Sequence, residues 1–114
     1  AIFNNNRIIT NKDQVYKNNE INIYNFKNNK LYSPYDKILN ELDVRTVNQG
    51  LFEITEYGVF LEEQNAGRYI FFDNNGELIF EYLNKSKKDV YQVHWSRLIT
   101  DKKKINLIRS NFSD

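Results

Sequence analysis

Between Leu51 and Tyr82 four short apolar runs are separated by turn-forming triplets and quartets, and this spacing constrains the fold more than any other feature of the chain. The runs are Leu51–Thr55, Val59–Glu63, Arg68–Phe72 and Glu77–Tyr82. Between them lie Glu-Tyr-Gly (56–58), Gln-Asn-Ala-Gly (64–67) and Asp-Asn-Asn-Gly (73–76). Runs this short, rich in β-branched and aromatic residues and recurring every eight to ten positions, predict a meander of antiparallel strands. Gly58, Gly67 and Gly76 stand where a hairpin needs positive φ, and Asn74 and Asn75 tolerate the left-handed region.

The first third carries a weaker copy. Ile21–Tyr32 lies over Arg68–Ile79 at an offset of 47, pairing Ile23 with Ile70, Tyr24 with Phe71, Asn28 with Asn75 and Leu31 with Leu78. Upstream, Asn6–Thr10 matches Gly58–Glu62 at an offset of 52, the difference being a longer loop over Asn11–Asn19. A period of about 40–50 residues carrying four strands is the spacing of propeller blades. The expectation is therefore one all-β domain over residues 1–114: antiparallel four-stranded meanders in two blade-like repeats, 4–37 and 49–85, with closing strands within 90–109. The alternative is a two-sheet β-sandwich. Between the copies, Ser33–Leu42 predicts a short helix or irregular crossover. Ser33 would be its cap, Pro34 its first turn and Asp36 its capping-box acid, with Tyr35, Ile38 and Leu42 on one face. Val90–Thr100 reads as a long strand and Lys104–Arg109 as a final one.

Composition limits the functions. Eighteen Asn lower the mean hydropathy to −0.70, yet twelve Ile and 15% aromatic residues supply apolar bulk for one core. A net charge of +1 removes the main electrostatic reason to expect nucleic-acid binding. Lys102–Lys104, following Asp101, reads as a solvated turn. With no Cys and one His, neither a disulfide framework nor a thiolate or multi-histidine metal site is expected, and no cofactor is implied. No apolar run approaches the ~18 residues of a membrane span, and Ala1–Asn6 does not resemble a signal peptide. A start at Ala1 without Met suggests a processed, tagged or excised chain.

Few residues offer chemistry. In Val90–Arg97, strand alternation would put Val90, Gln92, His94 and Ser96 on one face and Tyr91, Val93, Trp95 and Arg97 on the other. His94 is the weak catalytic candidate; a Ser two residues from a His on one strand is not a triad. Glu53, Glu56, Glu62, Glu63, Glu77 and Glu81 could supply a carboxylate pair at glycosidase spacing, but their number is ordinary for solvent-facing strand positions. Phe60, Tyr69, Phe71, Phe80, Tyr82 and Trp95 read as core or inter-sheet packing, so Trp95→Ala should cost roughly 3 kcal/mol. No phosphate-binding glycine loop or nucleophile elbow is present.

Three stretches, Gln49–Glu63, Gly67–Tyr82 and Val90–Arg97, resemble a blade of bacterial arylsulfotransferase-type β-propellers. Such blades run from Gln-Gly or Gln-His into a strand, through an Asn-Gly turn and a Gly-Arg pair, to an Asp-x-x-Gly-Glu turn and a Trp-Glu-Tyr strand. Here Tyr57-Gly58 replaces Asn-Gly and Phe80-Glu81-Tyr82 replaces Trp-Glu-Tyr. The resemblance implies sulfuryl transfer from a phenolic sulfate to a phenolic acceptor, through a histidine nucleophile near the propeller axis, in the cell envelope or periplasm; without it a cytoplasmic location is expected. Gly50 follows Gln49 where a family histidine can stand, and His94 sits in no matching motif, so no catalytic residue is carried over.

On this resemblance the chain is the last two blades of a propeller, whose full-length form would be an arylsulfotransferase, or a descendant without the reaction. Two blades alone leave apolar faces open, so the partners expected are the remaining blades, another protein or a second copy. Gln49, Arg68 and Arg97 are the binding candidates. The function expected is a non-catalytic structural or interaction domain. The alternatives are a small immunity-type inhibitor using a strand edge or Glu53–Glu63, and a sulfuryl-transfer enzyme fragment built around His94, with Arg97 or Arg68 holding an anion.

Overall fold

A computed structural model describes residues 1–4, 7–9, 14–46 and 50–112. Its described elements are, in order, β1 (Ile2–Asn4), β2 (Arg7–Ile9), β3 (Gln14–Tyr16), β4 (Glu20–Asn25), β5 (Lys30–Tyr32), α1 (Asp36–Glu41), β6 (Gly50–Ile54), β7 (Gly58–Glu63), β8 (Arg68–Asp73), β9 (Leu78–Leu83), β10 (Lys85–Ser86), β11 (Asp89–Val90) and α2 (Lys102–Phe112). The fold is mainly β and every described strand pairing is antiparallel.

The predicted meander is present as the sheet β6-β7-β8-β9, each strand within a residue of its expected span. Its turns follow from their residues. Asp73 Oδ1 accepts from the backbone N–H of Asn75 (2.8 Å) and of Glu77 (2.9 Å), an Asx-turn that closes β8 onto β9. Gly58 has φ +149°, and a Cβ there would lie 2.1 Å from the Phe72 carbonyl oxygen, so the turn into β7 needs glycine on two counts. Register shifts between Phe71 and Phe72, where β8 meets β9 at a bulge.

The two faces of this sheet differ. On one face Val59, Leu61, Ile70 and Phe72 are fully buried and form a single core with Ile21 of β4, Ile38 and Leu39 of α1, and Val44. Ile23, Tyr35, Leu42 and Phe52 pack around that core. The chain between α1 and β6 is held down by Asn19: its Oδ1 accepts from Thr46 N–H (2.6 Å) and its own N–H donates to the Val44 carbonyl (2.8 Å). A buried Asn pays for its desolvation this way and also sets where the linker runs.

Earlier in the chain, β1-β4-β5 form one sheet and β2-β3 another. A second hairpin, β4–β5, begins 48 residues before β8–β9, and in it Tyr24 pairs with Leu31 where Phe71 pairs with Phe80; β2 pairs with β3, which lies inside the stretch read as a loop, and β4 pairs with β1. The crossover is helical, with Ile38 buried and Tyr35 and Leu42 against the core as predicted. Its cap is not Ser33. Tyr35 occupies the cap position without a side-chain bond, and the Ser33 hydroxyl donates to Asn22 Oδ1 (2.5 Å), because β5 delivers it next to β4.

The expected closing strands over 90–109 are replaced by an irregular segment and a helix. Beyond β11, the described residues up to Asp101 form no strand. Lys102–Lys104, read as a turn, opens α2: Asp101 Oδ1 accepts from the N–H of Lys103 (2.8 Å) and Lys104 (3.2 Å), which is N-capping. Ile105, Ile108 and Phe112 then follow at helical spacing. Trp95, expected in the core, is 80% exposed with φ +59°. The backbone turns there and strand alternation no longer decides which way the ring points. Trp95→Ala should therefore change stability by less than about 0.5 kcal/mol, as a urea titration would register.

Candidate functional site

The second face of the four-stranded sheet is aromatic, and the segment after β11 crosses it. Pairing sets Phe60 beside Phe71, and Phe71 beside Phe80, with Tyr69 beside Tyr82 one step along. Ring centroids are 5.9 Å apart for Phe60–Tyr69, Tyr69–Tyr82 and Phe71–Phe80, all close to parallel. Phe60 is buried, Tyr69 and Phe71 are half-buried, and Phe80 and Tyr82 toward the sheet edge are exposed.

Gly67 lets the crossing segment approach. Its φ is +61°, and a Cβ would stand 2.2 Å from the Tyr91 carbonyl oxygen. From there Tyr91 N–H donates to the Asn84 carbonyl (2.8 Å) and Val93 N–H to the Gln64 carbonyl (3.2 Å), burying Val93. Ser96 anchors the far end: its N–H donates to Glu62 Oε2 (2.8 Å) and its hydroxyl bonds to the Tyr69 hydroxyl (2.7 Å). Beside this anchor runs an open groove of about 390 Å³ lined by Phe60, Tyr69, Phe80, Ser96, Arg97 and Leu98.

Glu62 and Glu63 end β7 and are both buried, contrary to the solvent-facing positions expected of them. The reason is topological: β7 lies inside the sheet, and both of its faces are covered, by the crossing segment on one side and by the α1–β6 linker on the other. Glu62 Oε1 is buried without a hydrogen-bond partner among the described residues. Glu63 is paired with Arg68 Nε, while its Oε1 accepts from Arg45 N–H (2.7 Å). Arg68 Nη1 meets Glu81 Oε1 at 3.0 Å and Nη2 donates to the Leu42 carbonyl at 3.0 Å. The guanidinium thus joins β7, β9 and the linker.

Of the binding candidates, Arg68 turns inward onto this network, whereas Arg97 is exposed on the rim of the groove, its Nη1 donating to the Ser96 carbonyl (2.9 Å). Gln49 lies outside the described residues. His94 is exposed on the irregular segment and is not brought against an acid or a hydroxyl among the described residues. Among them, too, no group of three His, Asp or Glu side chains could hold a metal ion, and no helix is long and apolar enough to cross a membrane. In sequence Phe60, Tyr69, Phe71, Phe80 and Tyr82 read as core or inter-sheet packing; in the structure they share one face of the sheet, on which Phe80 and Tyr82 are exposed. The buried Glu pair was not singled out, although two adjacent carboxylates on an inner strand were a sign that partners must cover both faces.

Two carboxyls outside the groove tie turns together and set a pH dependence. Asp73 is held below its ordinary value of 3.8, chiefly by the Glu77 N–H bond, and Asp43 likewise by its bonds from Asn18 and then Arg45. With folded values depressed, the unfolded chain takes up protons first, so their contribution is complete above about pH 4 and is lost as the pH falls through the folded values. Asp36, raised by burial and then by the Glu20 charge, acts in the opposite sense. The urea midpoint of Asp73→Asn should lie below that of the natural chain at pH 6, with the gap narrowing at pH 3. An unchanged gap would show that the turn bonds do not depend on the charge.

A family model described as Arylsulfotransferase (ASST) matches residues 1–85. No curated protein and no solved structure matches the chain.

Proposed function

This chain belongs to the arylsulfotransferase family, and we propose that its sheets are blade-like units of such a protein, with a structural or interaction role and no sulfuryl transfer of their own. One observation carries this reading. The family resemblance implies a histidine nucleophile near a propeller axis, and the single histidine of this chain, His94, falls beyond the matched residues 1–85 on an exposed irregular segment. The four-stranded meander and a second antiparallel hairpin, β4–β5, beginning 48 residues before β8–β9, support the repeats 4–37 and 49–85. The exposed Phe80 and Tyr82 are the side chains that a neighbouring blade or partner would cover. Arg97, at the rim of the groove, is the cation that would meet an anionic group there; Arg68 serves the sheet. On this reading the cell envelope is the place of action.

The test is an assay of the 114-residue chain with a chromogenic phenolic sulfate and a phenol acceptor. The expected result is no phenol release above buffer, unchanged in His94→Ala. Release that falls a hundredfold or more in His94→Ala would overturn the non-catalytic reading.

A further inference from the structure

The chain from Tyr91 to Leu98 crosses the aromatic face as a strap, and few contacts hold it there. Tyr91 is the fixed end: its N–H donates to the Asn84 carbonyl, and its own carbonyl lies so close to Gly67 that no Cβ would fit between them. Beyond it the strap forms no strand, and only Val93 is buried, with Ser96 and Leu98 half-buried. Among the described residues its further bonds to the sheet run from Val93 N–H to the Gln64 carbonyl, from Ser96 N–H to Glu62 Oε2, and between the Ser96 and Tyr69 hydroxyls. A segment with so few buried apolar contacts and bonds is the part of a fold that opens before the rest unfolds.

Two features work against the closed strap. Trp95 has φ +59°, a left-handed backbone that a bulky aromatic residue resists, and its ring, 80% exposed, recovers little by burial. Glu62, fully buried under the strap, has Oε2 on the Ser96 N–H and Oε1 without a hydrogen-bond partner among the described residues. A buried carboxylate oxygen left so is costly, and water would satisfy it once the strap lifted. One motion, pivoting near Tyr91, relieves both costs.

We propose that residues 92–98 are a latch that opens and closes over the aromatic face while the sheet stays folded, with Ser96 as its catch. Closed, the latch covers Phe60 and part of Tyr69. Open, it gives Glu62 to water and leaves Phe60, Tyr69 and Phe80 as one uncovered apolar strip. Its consequence for assembly rests on the blade reading above: the latch then regulates when this face is available to an adjoining sheet. The latch itself does not need that reading.

The chain has no cysteine, so one introduced thiol reports one position. Val93→Cys puts it on the buried side of the strap, and Val59→Cys puts it in the core on the opposite face, where only unfolding of the sheet exposes it. With a water-soluble disulfide reagent and no denaturant, the Val93→Cys thiol is expected to react about tenfold faster than the Val59→Cys thiol, or more, yet slower than a free thiol. Adding Ser96→Ala or Tyr69→Phe to Val93→Cys should speed the reaction about fivefold, the factor one hydrogen bond contributes. Adding Trp95→Asn should slow it, since Asn tolerates the left-handed region. Amide exchange of Val93 and Ser96, against Leu61 and Ile70 of the inner strands, makes the same comparison in the unsubstituted chain. Equal rates at positions 93 and 59 would overturn the proposal, because the strap would open only with the sheet. Reaction of the Val93→Cys thiol at the rate of a free thiol would overturn it too, since nothing would then be latched, as would a rate that neither Ser96→Ala nor Tyr69→Phe moves. Sulfuryl transfer by the chain would overturn the blade reading and leave these rates as expected.

Discussion

Arg68→Ala is expected to destabilise the chain by about 3–5 kcal/mol, the cost of removing one partner from a buried ion pair. The Glu63 side chain is 2% exposed and Arg68 18%, so the substitution strands a carboxylate that water cannot reach. It also takes the donor from the Leu42 carbonyl and the partner from Glu81, so the linker loses its tie to the sheet. Neutralising the stranded acid, in Arg68→Ala/Glu63→Gln, should recover part of the loss. Arg68→Lys should recover less than a conserved charge would suggest, since an ammonium cannot reach three oxygens in a planar fork. Urea titrations of these variants measure all three effects. A loss below about 1 kcal/mol in Arg68→Ala would mean that the pair is solvated and behaves as a surface bridge.

Phe72→Ala should cost a similar amount, about 3–5 kcal/mol, through lost burial and a residual cavity. The ring is fully buried, with Tyr35 of the crossover at a centroid distance of 5.6 Å, and it touches the core where the four-stranded sheet, α1 and β4 meet. Phe80→Ala makes the comparison on the opposite face: Phe80 is 39% exposed, and its removal should cost clearly less. Equal losses at the two positions would show that the aromatic face is sealed in solution, as a partner copy or neighbouring blade would seal it.

The difference between these two phenylalanines was not legible in the sequence. Both follow the alternation of a strand, and alternation separates the two faces of a sheet without saying which face is covered. The strands themselves were legible, because each is bounded by a turn whose chemistry is local: Asp73 folds the chain back through its own carboxylate, and Gly58 and Gly67 hold backbone angles that other residues resist. The short crossover helix was legible for the same reason, in the spacing of Tyr35, Ile38 and Leu42.

Past Tyr82 local rules misled. Val90–Arg97 alternates like a strand, but only β11 pairs, and the remainder is held by single bonds to Gln64, Glu62 and Tyr69 from a sheet more than twenty residues earlier. Trp95 consequently points into water. In α2 a cap at Asp101 and three apolar residues at helical spacing were present, yet the cluster of lysines read as a solvated turn.

The sequence by itself determined the elements bounded by locally closed turns and caps: the meander, its turns and the crossover helix. Only the tertiary structure decided which face of the sheet became core, why Glu62 and Glu63 are buried, and where Arg68 and Arg97 point. Those outcomes depend on distant segments, the linker and the chain after β11, arriving over the sheet, and a pattern of period two or 3.6 does not encode what arrives.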